Sequence, residues 1–301
     1  MSSFRDLLRS ITPQFLLNRY REQKKEAVRS TIAAQREAGE GLTKETLLQQ
    51  LSEIGIVEGD TLLVHSSLSK IGFVEGGPQT VIDALLASVG DSGHVLMPNS
   101  PNAGYQLEYI RQLEVFDVAN VPSALGIITE LFRKHPKAIR SVSATEPVSC
   151  IGPNAIDFVD EHLGEETPYT SKSPFYKVAA AGGKILYIGV TLANAGTSLH
   201  VLEDAVEAFK FPVYYPEVFS VKVKLETGEE KTVKTRVHNP EWSAKRRCDE
   251  LIPLFEKMGA LQKVTLGNAP VLLVDARKML DVMISEYEQR GVTMYTPNGS
   301  S

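Results

Sequence analysis

Apolar positions along the chain follow two rhythms, one of period near four and one of short continuous or alternating runs. Leu47, Leu48, Leu51 and Ile54 share a helical face, with Thr43 ahead as an N-cap and Gly55 behind as a stop. Residues 61–64 then form a compact apolar run, predicting a buried strand that leads into the polar turn His65-Ser66-Ser67-Leu68. Pro78 follows Gly76-Gly77 where a helix would begin, and Val81, Ile82, Leu85 and Leu86 give it an apolar face. Further elements are predicted as a strand over 94–97 stopped by Pro98, a helix over 123–134 and a strand over 184–190. Another helix should start at Thr197-Ser198. Residues 218–225 and 231–237 alternate apolar and polar around Thr227-Gly228, which predicts a β-hairpin. Residues 242–258 read as helix, 271–274 as strand and 276–289 as a last helix. Strands alternating with helices make an α/β core, with the hairpin inserted in its C-terminal half.

The first 40 residues stand apart from this pattern. Phe4, Leu7, Leu8, Ile11, Phe15, Leu16 and Tyr20 recur at near-helical spacing, interrupted by Pro13. Residues 1–30 carry seven basic and three acidic side chains, hence +4; with a total of −5 the other 271 residues carry −9. A basic amphipathic arm over 1–40 is expected, packing on the body or a second subunit; an anionic membrane surface and a disordered arm are the alternatives. The body runs over 41–295, and the tail over 296–301 is expected to be loose.

Composition narrows the function classes. The chain has 301 residues, 43% of them hydrophobic, enough for a sizeable core in one large domain or two. An acidic balance argues against nucleic acid as a partner. Cys150 and Cys248 cannot by themselves frame a disulfide scaffold or a multi-cysteine metal site. No apolar run nears the roughly 18 residues of a transmembrane helix, and Arg5, Asp6, Arg9 and Arg19 interrupt any signal-like segment. The expectation is a cytoplasmic protein, peripheral to the inner membrane surface if the arm binds there.

Three segments carry candidate chemistry. The turn after residue 64, with the glycine-led helix start at Gly76-Gly77, offers backbone N–H groups to an anion or extended ligand, although no P-loop closes it. A plain connecting loop is the other reading. His200 and Glu203 are three apart in Thr197-Ser-Leu-His200-Val-Leu-Glu203, so a helix places them on one face, with Thr197 as its N-cap. A carboxylate beside an imidazole fixes its tautomer and raises its pKa, as a general base requires, but such pairs also occur as plain surface neighbours. No His-Glu-x-x-His accompanies them, so no metal is assigned. Asp117, after Phe116 and before Pro122-Ser123, either caps a helix or orients an imidazole.

Taken in order, several of these words resemble the aminoglycoside 3-N-acetyltransferase family. They are Val64-His-Ser-Ser-Leu-Ser-Lys-Ile-Gly72 with Gly76-Gly77, Met97-Pro98, Phe116-Asp117 with Pro122-Ser123 and Gly126, and Arg140-Ser141. Ser173-Pro-Phe-Tyr176, the run 183–190, Thr197 to Glu203, Gly267-Asn-Ala269 and Asp275-Ala-Arg277 continue the series over roughly residues 43–290. The resemblance implies a two-lobed antibiotic N-acetyltransferase fold, a central sheet flanked by helices. It implies acetyl-CoA or another acyl-CoA as cosubstrate and an amino-sugar or aminoglycoside amine as acceptor. It would make His200 the general base, Glu203 its support and Asp117 a third member. Ser66, Ser67, Leu68, Gly76 and Gly77, with Thr80 in the helix start, would hold the CoA.

The chain departs from the family pattern where a His-Pro pair usually follows Arg-Ser: here Ser143-Ala144 stand, and Val118 replaces a common Pro. These changes, with the basic arm, favour an amino-sugar acceptor, nucleotide-linked and destined for surface polysaccharide; the alternative is an aminoglycoside. A serine hydrolase using Ser66 or Ser67, and a CoA-binding protein without activity, are the competing classes.

Overall fold

The computed structural model describes residues 14–300, so the expected arm residues 1–13 and Ser301 lie outside it. Among the described residues ten strands form two sheets: β1 (Thr61–Ser66), β2 (His94–Pro98), β3 (Val115–Asp117), β4 (Ile139–Arg140), β5 (Val148–Ile151), β6 (Lys184–Ile188), β7 (Phe219–Lys224), β8 (Glu230–Thr235), β9 (Leu261–Leu266) and β10 (Ala269–Asp275). The central sheet has the order β4-β5-β2-β1-β6-β10-β9, and the smaller one β3-β7-β8. β1 pairs in parallel with both β2 and β6, while the outer strands run antiparallel.

The middle strands read as continuous apolar runs because helices cover both their faces. Side chains alternate across the sheet. Leu63, Leu96, Ile185 and Tyr187 enter one core, with Phe175, Phe255 and Met279 packed over them. Leu62, Val64, Val95 and Ile188 enter the other, under Leu51, Ile82 and Phe132. A third core of Phe116, Val221, Val223 and Val237 lies on the small sheet, giving the second lobe. Arg140 ties the two sheets together. Its buried guanidinium donates to Asn99 Oδ1 at 2.7 Å, Asn99 O at 3.0 Å, Val118 O at 2.9 Å and Val121 O at 2.7 Å. It also sits 5.2 Å from the Phe116 ring centre.

Most expected elements are present, and the differences have local causes. Thr43 caps the helix Lys44–Glu53 through Thr46 N, and Asp275 caps Ala276–Arg290 through Lys278 N. The hairpin predicted around Thr227-Gly228 is β7–β8; β9 and β10 form a second antiparallel pair. The helix expected from residue 123 begins only at Ile127. Ser123 N donates to Glu130 Oε2 at 2.8 Å and Ser123 Oγ accepts from Leu125 N, so side chains hold a turn there instead. The helix expected over 242–258 is broken into Pro240–Ser243, a 3₁₀ turn Cys248–Leu251 and Ile252–Lys257. Arg247 N donates to Met294 O at 2.7 Å, outside any helical ladder.

The tail expected to be loose is tied down as far as Ser300: Thr296 Oγ1 donates to Gly291 O at 2.7 Å and Ser300 N to Arg290 O at 2.9 Å. In the arm, the helix Gln14–Ala38 is exposed along most of its described length. Val28, Ile32 and Gln35 form a half-buried stripe beside Ser69, Lys70 and Gly72, and Gln35 Oε1 accepts from Phe73 N at 3.0 Å. No helix among the described residues is long and apolar enough to cross a membrane.

Buried histidines make the fold pH-sensitive, and His162, which lies away from the cleft, is one of them. His162 Nε2 donates to Pro168 O at 3.1 Å, and its Nδ1 lies 2.9 Å from Ser141 Oγ as an acceptor. Burial pulls its imidazole down to about 4, against the bond to Pro168 O and the Glu165 charge. A depressed folded pKa stabilises the fold above the unfolded value near 6.5, and that stability is lost as pH falls towards 4. We expect thermal stability to decline between about pH 6.5 and 4, with His162 contributing on the order of 3 kcal/mol. His162→Gln, compared with the wild type in melts across that range, should flatten the decline; parallel curves would refute the assignment.

Candidate active site at the carboxyl ends of the parallel strands

The parallel strands β2, β1 and β6 all run out at one edge of the central sheet, the usual ligand position in open α/β sheets. A cleft of ≈ 230 Å³ opens there. Ser66 at the end of β1, Pro98 at the end of β2 and Val190 just beyond β6 form one side. Thr197, His200, Glu146 and Arg246 are among its polar side chains.

His200 reaches the cleft by a route the sequence only partly indicated. Thr197–His200 is a 3₁₀ turn and the helix itself is short, Val201–Ala205. Thr197 therefore does not act as the expected N-cap: its hydroxyl lies 3.5 Å from His65 Nε2. His200 and Glu203 still share a face, with His200 Nδ1 donating to Glu203 Oε1 at 2.9 Å. Two further donors converge on the same carboxylate. His238 Nε2 donates to Oε2 at 2.7 Å, and the Tyr295 hydroxyl donates to Oε1 at 2.7 Å. Tyr169 stacks on His200 with ring centres 5.0 Å apart.

This network assigns protons. Burial pushes the Glu203 carboxyl up, but the two imidazoles and their hydrogen bonds outweigh it and hold the group well below the carboxylate range. Glu203 is thus an anion surrounded by donors. Burial also carries His200 below the ordinary imidazole value, opposed by the Glu203 charge. At neutral pH the ring is uncharged, with Nδ1–H directed to Glu203. Nε2 then carries the lone pair, and no hydrogen bond to it occurs among the described residues. That is the form a general base needs.

His200, Glu203 and His238 also place their ligand atoms within 4.8 Å of one another, close enough for a shared metal ion. Their separations of 2.7 and 2.9 Å are those of imidazole–carboxylate hydrogen bonds, which already use both carboxylate oxygens.

The remaining expected site residues divide. Ser66 lines the cleft, and its Oγ is buried without a partner among the described residues. Ser67, Leu68, Gly76, Gly77 and Thr80 lie outside the cleft lining. Ser67 N is spent on Ile188 O at 2.9 Å. Thr80 Oγ1 donates to Glu75 O at 2.6 Å, clasping the turn at Gly76 (φ +75°) and Gly77 (φ +67°). Thr80 therefore shapes the helix start.

Asp117 is not brought to His200. It ends β3 in the other lobe, where its carboxylate accepts from Ala119 N and Asn120 N at 3.1 Å and pairs with Lys224 at 3.2 Å. It caps its own turn. The position assigned to it is filled instead by His238 and Tyr295, which sequence reasoning missed. They lie 35 and 92 residues beyond Glu203, and no local pattern connects them.

The sequence profile of the aminoglycoside 3-N-acetyltransferase family matches residues 63–288. Aminoglycoside N(3)-acetyltransferase VIII of Streptomyces fradiae is 33% identical over 184 residues, which cover 57% of this chain and 64% of that relative. The match thus spans under two thirds of that relative's length. A solved structure of AAC-IIIb in binary complex with CoASH superposes with a TM-score of 0.69 at 25% identity, covering 82% of this chain and 96% of the other. One of AAC-VIa bound to sisomicin gives 0.69 at 26% identity, with 82% and 98% covered. With three quarters of its length inside the family profile and the same architecture in solved members, the chain belongs to the aminoglycoside 3-N-acetyltransferase family.

Proposed function

We propose that the protein transfers an acetyl group from acetyl-CoA to an amine of an aminoglycoside, with His200 as the general base. The observation that carries this reading is the His200 ring, oriented by Glu203 with Nε2 left open in the cleft. The expectation of a nucleotide-linked amino-sugar acceptor is given up. Relatives across the family carry names that specify aminoglycosides, and an aminoglycoside occupies the sisomicin complex of a similar fold.

CoA would run over the Ser66-Ser67-Leu68 turn and the Gly76-Gly77 helix start, with its pantetheine entering past Ser66. The thioester carbonyl then sits between Ser66 and His200. As the acceptor nitrogen attacks, His200 Nε2 takes a proton from it, and Glu203 stabilises the resulting imidazolium. The oxygen of the tetrahedral intermediate needs a donor, and the unpartnered Ser66 hydroxyl offers one. A well-placed donor of this kind contributes about 3 kcal/mol. Collapse expels the CoA thiolate, which recovers the proton from His200. His238 and Tyr295 act through Glu203 as positioning residues: they fix the carboxylate that fixes His200.

A hydrolase reading finds less support, because no histidine lies within hydrogen-bond reach of the Ser66 hydroxyl among the described residues.

Two measurements test the proposal. In a thiol-release assay with acetyl-CoA and an aminoglycoside panel, His200→Ala should lower kcat by about 10²–10⁴ with little change in CoA affinity. Full activity in that variant would remove the base role. His238→Ala should lower kcat by about tenfold with KM for acetyl-CoA unchanged, and Tyr295→Phe by a smaller factor. An effect of either variant on KM alone would contradict a positioning role.

A further inference from the structure

Among the described side chains lining the cleft there is a single carboxylate, Glu146, and the acetyl-transfer reading gives it no task. It is 8% exposed, on the segment that follows Arg140-Ser141. Ser143, which stands where the family's histidine is usual, uses its hydroxyl to accept from Glu146 N at 3.2 Å. The Ser100 hydroxyl takes the neighbouring Thr145 carbonyl at 2.7 Å. The segment is therefore held from both sides, and Glu146 is built into the cleft wall.

The carboxylate is also wired to the His200 cluster. Gln106 Nε2 donates to Glu146 Oε1, and Gln106 Oε1 accepts from the backbone N–H of His238 at 3.4 Å. One amide side chain thus spans the two acid–base groups. The ionisable groups facing Glu146 are the Arg246 guanidinium and the Tyr169 phenol, with Gln106 as the neutral donor.

Proton counting leaves a vacancy for such a group. An amine beside electron-withdrawing oxygens titrates near the α-amino range, about 7.7–8.0, and so arrives at neutral pH mainly as an ammonium. An ammonium has no lone pair and must lose one proton before attack. The nitrogen then loses a second as the amide forms. His200 can move only one of these, from nitrogen to the departing sulfur.

We propose that Glu146 is a second catalytic base, which binds the acceptor's ammonium and takes its first proton. The step rests on the acetyl-transfer reading. The ammonium N–H bond breaks and its proton passes to the Glu146 carboxylate, leaving a neutral amine with its lone pair free. That pair forms the C–N bond at the thioester carbon while the carbonyl π electrons move to oxygen. His200 Nε2 takes the next N–H proton, the C–S bond breaks, and the thiolate takes that proton as CoASH. Glu146 returns its own proton to water as the acetylated product leaves. One proton is released per turnover. Burial, against Gln106, Arg246 and Tyr169, pushes the Glu146 carboxyl up to about 7, which suits it to accept from an ammonium of slightly higher pKa.

The test compares pH profiles of kcat/KM for two aminoglycoside or amino-sugar acceptors whose reacting amines differ in pKa. With the wild type, the acid limb should fall near pH 7 for both. In Glu146→Gln, which preserves size and can still bond Gln106, the limb should follow each acceptor's own amine pKa. For an amine of pKa about 7.7–8.0 its deficit should be about three- to sixfold at pH 7 and shrink towards none by pH 9. Glu146→Asp, which keeps a carboxylate, should retain the acceptor-independent limb, and thermal melts of all three proteins check folding. A Glu146→Gln deficit that is constant with pH, or limbs that stay independent of the acceptor, overturns Glu146 as a base while leaving the acetyltransferase reading intact. A Glu146→Asp limb that follows the acceptor also overturns it. Wild-type protein that releases no thiol with any amine overturns both.

Discussion

A carboxylate removed from water must have its charge met by donors, or the fold around it fails. Glu203 is in that position, 5% exposed in the interior, and it is satisfied by three side chains from separate parts of the chain. His200 comes from the turn before it, His238 from beyond the hairpin and Tyr295 from beyond the last helix. Each of these segments has its direction fixed by the need to reach the same two oxygens. The acid–base geometry of the cleft follows from that constraint: with its Nδ1–H committed to Glu203, the His200 ring can offer only Nε2.

The central sheet supplies the frame on which this happens. Parallel pairing of β1 with β2 and β6 brings three strand ends to one edge, and the apolar cores on both faces hold that edge still. The second lobe is set against the sheet by Arg140, whose forked guanidinium meets four oxygens at once. A lysine has no planar fork and could not reproduce this arrangement. The segment that leaves Arg140 carries Ser143 and Glu146, so the same anchor that joins the lobes also positions the cleft's carboxylate.

What could be read from the sequence follows the range of the interactions concerned. Leu47, Leu51, Thr43 and the run 61–64 announced their elements because caps and periodicity act over a few residues. The His200–Glu203 pair was legible for the same reason, being three residues apart. His238 and Tyr295 were not, since their roles depend on contacts across 35 and 92 residues. The broken helix around Arg246 was missed likewise: the Arg247 N–H is drawn to Met294 O, a partner no local pattern indicates. Asp117 shows the opposite hazard. The motif around it is real, yet its carboxylate serves its own turn on β3 and stands in the other lobe. Glu146 carried no local signal either, since its contact with Gln106 spans 40 residues.

The link from Tyr295 to Glu203 has a bearing on how the protein is made. Ninety-two residues separate the phenol from the carboxylate it contacts, and the final helix must form and pack in between. A nascent chain can build β1, β2 and β6, and even the His200–Glu203 turn, well before that contact is available. Throughout that interval Glu203 lacks one of its donors. The sheet can therefore form during synthesis while a fully donated Glu203 has to wait for residue 295.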